Sequence, residues 1–216
     1  MKKILFSLSV IAAAAAVITG GTLAYFSDTE TSTGNSFAAG TLNLQVGSAD
    51  PMTEHMAFSS MKPGDAANAA AWLTKNTGSL AGKLTVAVST ITNNENACIE
   101  SEGDSTCTGP DGELGANLKV AFWMDVDKSA SWTSGDYYLN SAGTKVPWTI
   151  AETLPTAAYD ILNNYSGKTW TDAQTNIAGG SDAGNFRVEY DLPIATSNII
   201  QSDSSVFDIT FTLNQQ

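Results

Sequence analysis

The sequence predicts an all-β protein that folds as a sandwich of two antiparallel sheets. Apolar and polar residues alternate strictly in several segments, which is typical of strands with one face on a core and the other in water. Glycine, proline and asparagine mark reversals between these segments, and the outward faces are polar, as in a sandwich. The alternating segments are 42–46, 84–88, 118–124, 186–192 and 207–213.

The N-terminus has the features of a leader for export. Two lysines precede an apolar run over residues 4–18, and a small residue, Ala24, precedes Tyr25. A basic start, a short apolar core and a small residue at the cut describe a secretory signal peptide. We therefore expect residues 1–24 to be removed by cleavage between Ala24 and Tyr25. The apolar run is shorter than the roughly twenty residues that a spanning helix needs, and an uncleaved membrane anchor is the alternative.

The segment that follows the cut, residues 25–37, is polar and rich in threonine. Threonine favours strands, and no proline removes a ladder hydrogen bond, but the segment has too little apolar surface to anchor itself in its own core. It can instead add as a strand to the open sheet edge of another copy, while a frayed terminus without a role is the alternative. The predicted donor residues are Tyr25, Phe26, Ser27, Asp28, Thr29, Glu30, Thr31, Ser32 and Thr33.

Residues 38–216 form the predicted sandwich domain, and turn motifs separate its strands. Segment 62–65 (KPGD) predicts a type II turn, because proline fixes φ at one central position and glycine accepts a positive φ at the next. Further reversals are expected at 76–78 and 110–112. Without the leader 192 residues remain (216 − 24), which is enough for one domain with a substantial core.

Two cysteines, Cys98 and Cys107, lie close together in the sequence. In an exported protein such a pair predicts a disulfide that closes a short loop. A metal-binding pair is the weaker alternative, because no second pair and no histidine accompany the two thiols. A loop this short contributes at most about 2–3 kcal/mol by the chain-entropy account.

The middle of the chain breaks the alternating pattern. Residues 129–184 are rich in glycine, serine, asparagine and tryptophan, and we interpret them as an elaborated insertion between core strands. Within it, Pro155 and the apolar residues after it predict a short helix that ends near Gly167.

The chain is acidic, with a formal net charge of −12. The leader carries two lysines and no acidic residue, so the mature chain is near −14 (−12 − 2). The sequence has no basic stripe to neutralise phosphates, which argues against nucleic acid or an anionic membrane as a partner. The same charge favours solubility and weak binding of divalent cations.

Signatures of the common enzyme classes are missing from the sequence. It contains no nucleophile elbow, P-loop or dinucleotide-binding fingerprint. A catalytic zinc needs about three protein ligands, usually including two histidines, and the chain has one histidine, His55. Serine-type catalysis would have to recruit the same residue as its base. We interpret His55 as a surface residue and predict that the protein is not an enzyme.

Calcium is the one cofactor that the sequence suggests. Asp125 and Asp127 follow a predicted strand, and Asp136 lies nine residues beyond Asp127. Oxygen ligands at alternate positions can hold calcium, but the EF-hand pattern is missing and acidic loops are usually just solvated. The three aspartates are therefore weak calcium candidates.

Two further features are typical of an exported sandwich. Asn164 begins an acceptor sequon for glycosylation in a predicted loop. Four tryptophans suggest either sugar binding or coverage of the core, and the second is commoner in sandwiches. These are Trp123, Trp132, Trp148 and Trp170.

The leader together with segment 37–42 (FAAGTL) resembles the TasA/camelysin family of secreted proteins. The resemblance continues at 61–65 (MKPGD), at 76–80 (NTGSL) and in the closing strand 206–213 (VFDITFTL), so it spans both ends of the domain. It implies a jelly roll, a leader cut by a dedicated signal peptidase, and fibres that grow by donor-strand exchange. Camelysin-type relatives are also described as metalloproteases.

We therefore expect a structural subunit of extracellular fibres, in a biofilm matrix or a bundling pilus. Its partners would be further copies of itself, the dedicated signal peptidase, and a minor fibre or anchoring protein. Residues 25–37 donate the strand, and the accepting groove is expected beside 42–46 or 207–213. A secreted metalloprotease and a monomeric surface binding module for sugars or calcium are the alternatives.

Overall fold

The structure is a computed structural model that describes residues 40–48, 53–96, 112–150 and 153–216. Twelve strands lie in these ranges: β1 (Leu44–Val46), β2 (Thr53–Ser59), β3 (Ala66–Asn76), β4 (Gly82–Val88), β5 (Thr92–Asn94), β6 (Lys119–Asp125), β7 (Tyr137–Leu139), β8 (Lys145–Pro147), β9 (Asp160–Ile161), β10 (Thr169–Ile177), β11 (Asp182–Asp191) and β12 (Ser204–Gln215). The predicted signal peptide with its Ala24–Tyr25 cleavage site, the donor segment 25–37, and both Cys98 and Cys107 lie outside the described residues.

The strands form the two antiparallel sheets that the alternation predicts. The smaller sheet has the order β10-β4-β12-β2, with β5 also paired to β12, and the larger has the order β1-β3-β11-β6-β7-β8, with β9 also paired to β6. Successive strands β2, β3 and β4 alternate between the sheets, as do β10, β11 and β12. This order is that of a double-sheet jelly roll, so the all-β sandwich and the jelly roll are both confirmed.

The core lies between the two sheets and is built from inward residues of alternating strands. In β4 and in the first part of β12 every second residue is buried. Aromatic rings meet at the centre, where Phe186 is 5.1 Å from Phe211 and 6.0 Å from Phe122 between ring centroids. All three side chains are fully buried.

The larger sheet is buried on both faces at β6. The outward residues Ala121 and Trp123 lie under a second apolar cluster that includes Trp132, Tyr138 and Ala158. The sequence pattern places Trp123 on the solvent side of its strand. That placement is wrong, because the segment after β6 folds back over this face.

Residues 129–184 contain β7, β8, β9 and β10. Of these, β10 belongs to the smaller sheet through its pairing with β4, so the predicted insertion includes one strand of the sandwich. The helix predicted near Pro155 is wrong: two short 3-10 turns, Thr156–Ala158 and Leu162–Tyr165, take its place. Between them β9 pairs with β6, and this extended backbone interrupts the helical pattern.

The α-helix of the described residues, α1 (Leu114–Asn117), spans four residues before β6. A third 3-10 turn, Asn198–Ile200, precedes β12. Within the described ranges, no helix has the length and apolar character that crossing a membrane requires.

The connection between β2 and β3 is the predicted type II turn. The Asp65 N–H donates to the Lys62 carbonyl over 3.0 Å, and the Lys62 N–H donates to Asp65 Oδ2 over 2.9 Å. Gly64 has φ +92°, the positive value that this turn requires at its third position. The turn joins an edge strand of one sheet to an exposed strand of the other.

Candidate functional site

The sandwich has an open side where the edges of its two sheets lie next to each other. In the smaller sheet β2 pairs with β12 alone among the described strands. In the larger sheet β1 pairs with Thr74, Lys75 and Asn76 of β3. The outer edge of β3 from residue 66 to residue 72 therefore has no ladder partner within the ranges that the structure describes.

The free part of β3 consists mainly of alanines. Five of its first six residues are alanine, and residues 66–69 and 71 are exposed. The pairing with β11 shifts between Ala70 opposite Val188 and Asn68 opposite Glu189, so Ala69 is an extra residue of the bulge kind. Alanine has a low strand propensity, and its small side chain leaves space above the sheet.

A groove of about 410 Å³ runs between β2 and the start of β3. Met56 and Phe58 of β2 line one wall, Ala69 of β3 the other, and Tyr190 of β11 also contributes to the lining. The Phe58 ring meets Tyr190 edge to face, with centroids 5.5 Å apart. The unpaired main-chain groups along the two strand edges are what an added strand needs, whereas Met56 and Phe58 are largely buried and offer it little apolar surface.

The sequence predicts two positions for the accepting edge, and in the structure one of them is an edge strand and the other lies inside a sheet. Segment 42–46 contains β1, the short edge strand that covers the far end of β3. Segment 207–213 is mostly interior, because β12 has β2 on one side and β4 on the other. Sequence reasoning missed the run 66–71, because five alanines among six residues show no alternation and have a low strand propensity.

The structure brings together the three predicted calcium ligands in the loop between β6 and β7. Carboxylate oxygens of Asp125, Asp127 and Asp136 all lie within 4.8 Å of one another. Asp125 and Asp136 are buried, and Asp127 is exposed. The loop therefore presents a compact acidic cluster.

Asp125 is the centre of this loop. Its Oδ1 accepts a hydrogen bond from the Ser129 N–H over 3.0 Å, and its Oδ2 accepts one from the Ala130 N–H over 3.0 Å. Arg187 Nε of β11 lies 2.7 Å from the same Oδ2. The Arg187 guanidinium also lies 5.5 Å from the Trp123 ring centroid. A buried ion pair thus connects the loop to the larger sheet.

Protein donors likewise surround the other two carboxylates. Asp136 accepts hydrogen bonds from the N–H groups of Val126 (2.8 Å) and Thr133 (2.7 Å). Asp127 accepts from the Ser129 N–H and from Thr133 Oγ1, both over 2.9 Å, and hydrogen bonds from Ser129 are the main cause that lowers the Asp127 pKa to about 2. Protein donors thus contact all three carboxylates, and calcium binding here stays a prediction.

His55 lies on the outer face of β2, in a site with one other polar partner. Its side chain is 67% exposed, and Nδ1 is 2.8 Å from Asp208 Oδ1. Neither of the two three-residue acidic groups among the described residues includes it. A catalytic zinc generally needs two histidines among three protein ligands. The surroundings of His55 do not supply that set.

The remaining predicted residues lie in ordinary structural positions. Asn164 is exposed in a 3-10 turn, and its Nδ2 donates to Asp160 Oδ1 over 2.9 Å, so glycosylation there stays a prediction. Trp123, Trp132 and Trp170 are buried. Their burial agrees with the interpretation that tryptophans cover the core.

Comparison with known proteins identifies a family. The model of the family described as camelysin metallo-endopeptidase matches residues 1–216. No curated protein and no solved structure matches the chain. The match therefore covers the predicted leader and the predicted donor segment as well as the sandwich. The chain therefore belongs to the camelysin family.

Proposed function

We propose that this protein is a structural subunit of an extracellular fibre that assembles by donor-strand exchange. The observation that carries the proposal is the free edge of β3 at residues 66–72, next to the groove between β2 and β3. An exposed strand edge is a template for pairing with another chain. A second copy of this protein is the proposed partner, and its residues 25–37 are the proposed strand.

The dimensions of the donor segment suit this edge. Thirteen residues in extended conformation span about 43 Å, whereas the seven free residues of β3 span about 23 Å. The segment can therefore cover the whole free edge and still connect to its own domain. Each main-chain hydrogen bond formed contributes about 0.5–1.5 kcal/mol, and Tyr25 and Phe26 can pack on the exposed alanines of β3.

Contacts of this kind produce a polymer rather than a closed dimer. The donor segment and the groove are different surfaces, so each bound copy still offers one free groove or one free segment. The leader keeps the segment tethered until a dedicated signal peptidase cuts it, and this would delay assembly until export. A minor fibre or anchoring protein would attach the chain of copies to the cell surface.

Replacing Ala69 by arginine should abolish fibres without unfolding the subunit. Ala69 is exposed on the groove wall, so Ala69→Arg places a long charged side chain where the added strand would lie. Exposed substitutions usually change stability by no more than about 0.5 kcal/mol. The measurement is sedimentation velocity and negative-stain microscopy of the purified variant, with melting followed by circular dichroism.

The matched control is Ala142→Arg. Ala142 is exposed in the β7–β8 connection, at the opposite end of the larger sheet from β1. This variant adds the same side chain and charge and should form fibres like those of the wild type. Equal polymerisation of both variants would show that the groove is not the acceptor.

The rival function is that of a metallopeptidase, which the family description names. It requires a metal that the purified protein retains and an activity that depends on the single histidine. We expect His55→Ala to leave fibre formation and the metal content of the purified protein unchanged, because His55 is exposed and, among the described residues, pairs with Asp208 alone. Stoichiometric zinc in the wild type that is lost in His55→Ala would favour the peptidase.

A further inference from the structure

A second acidic cluster lies where the chain segments next to β5, α1 and β12 meet. Glu95 directly follows β5, Glu113 precedes α1, and Asp203 precedes β12. Carboxylate oxygens of the three residues lie within 4.8 Å of one another. Because the residues are far apart in the sequence, no motif connects them.

Asp203 is the most deeply buried member of the cluster. The residue is 1% exposed. Its Oδ2 accepts hydrogen bonds from the N–H groups of Glu113 (2.6 Å) and Leu114 (3.0 Å). Its Oδ1 is buried and accepts no hydrogen bond from an N–H or hydroxyl group of the described residues, and the carboxyl group as a whole has the Glu95 carboxyl as its hydrogen-bonding neighbour. A buried carboxylate oxygen without a donor is costly, and this one belongs to the acidic cluster.

The charges around Asp203 do not balance. Glu95 and Glu113 each bring a carboxylate oxygen within 4.8 Å of a carboxylate oxygen of Asp203. Asp203 has no ion pair with a lysine or arginine among the described residues. A cation held between the three carboxylates would offset the repulsion that they exert on the buried Asp203.

We propose that Glu95, Glu113 and Asp203 bind a divalent cation of the calcium class. Calcium takes oxygen ligands at about 2.3–2.6 Å, so two ligand oxygens on one ion are separated by up to about 5 Å, which agrees with the 4.8 Å limit of the cluster. The ion would fill the place of the missing donor at Asp203 Oδ1 and connect β5, α1 and β12. This site stands independently of the fibre proposal.

The test is calcium titration of the purified, chelator-treated protein by calorimetry, combined with melting in calcium and in chelator. Asp203→Asn keeps the acceptor for the Glu113 and Leu114 N–H groups and removes one negative charge. We expect the wild type to bind one calcium ion per chain, and Asp203→Asn to bind it at least about tenfold more weakly. In chelator Asp203→Asn should melt above the wild type, and in calcium this order should reverse.

Asp127→Asn is the matched control, because it makes the same change in the other acidic cluster. It should bind calcium as the wild type does. Glu95→Gln is the second variant in case Asp203→Asn fails to fold, and it should also bind calcium more weakly. The absence of binding in the wild type at millimolar calcium, undiminished binding in a folded Asp203→Asn or Glu95→Gln, or a loss confined to Asp127→Asn would each overturn the proposal.

Discussion

Removal of residues 25–37 from the mature chain should give a folded monomer that cannot extend a fibre. The buried core of the described residues runs from Leu44 to Phe211, so the truncation leaves these side chains intact. It removes the segment that we propose to pair with the free edge of β3. We expect the loss of polymer to be complete at concentrations where the mature protein forms fibres, as measured by sedimentation velocity.

A point variant separates strand pairing from the mere presence of the segment. Thr31→Pro keeps the length of the segment but removes a main-chain donor from any ladder, whereas Thr31→Ala keeps that donor. Thr31→Pro should polymerise poorly and Thr31→Ala nearly normally. Wild-type-like fibres from the 25–37 truncation would falsify the donor-strand account.

Asp125→Ala should cause the largest loss of stability among the changes considered in the acidic loop. Asp125 is fully buried and lies 2.7 Å from Arg187 Nε, whose side chain is 11% exposed. Removal of one partner leaves the other charge buried and uncompensated, which costs about 3–5 kcal/mol. The Ala130 N–H loses its acceptor as well, while the Ser129 N–H keeps Asp127. Denaturant unfolding followed by circular dichroism measures the change.

Asp127→Ala is the control for that experiment, since Asp127 is in the same loop but exposed. Its effect should be much smaller than that of Asp125→Ala. The Asp127 pKa is lowered from 3.8 to about 2, so its contribution is present above the unfolded value and is lost as the pH falls from 3.8 towards 2. The difference between Asp127→Ala and the wild type should therefore vanish in acid. Equal destabilisation by both variants at neutral pH would contradict the importance of the buried ion pair.

The strands could be predicted from the sequence because their alternation reflects one buried face. In β12 the buried residues Phe207, Ile209 and Phe211 alternate with half-buried polar ones, and the pattern is visible without any knowledge of the partners. In β6 the same reasoning misplaced Trp123. Its outward side is buried by a distant segment, and local periodicity carries no information about such coverage.

The open edge of β3 was harder to predict. A run of alanines has a low strand propensity and no alternation, so it does not indicate a strand. Its position depends on pairing with β11, which is more than one hundred residues away. For the same reason the 3-10 turns around β9 resembled a helix in the sequence, because the pairing of β9 with β6 cannot be read from local residues.

The two acidic clusters also differ in whether local sequence could predict them. Asp125, Asp127 and Asp136 are near neighbours in the sequence, and their convergence could be anticipated from one loop. Asp203 meets Glu95 and Glu113 through the packing of β12 against β5 and α1. Since only the fold brings these three carboxylates together, sequence reasoning did not find them.

Negative-stain electron microscopy of the purified mature protein, residues 25–216, at high concentration tests the central claim most directly. The fibre account predicts filaments with a regular repeat of one subunit, formed without any second protein. A protein that stays monomeric at every concentration, with its sandwich folded, would contradict self-assembly through the β2–β3 groove.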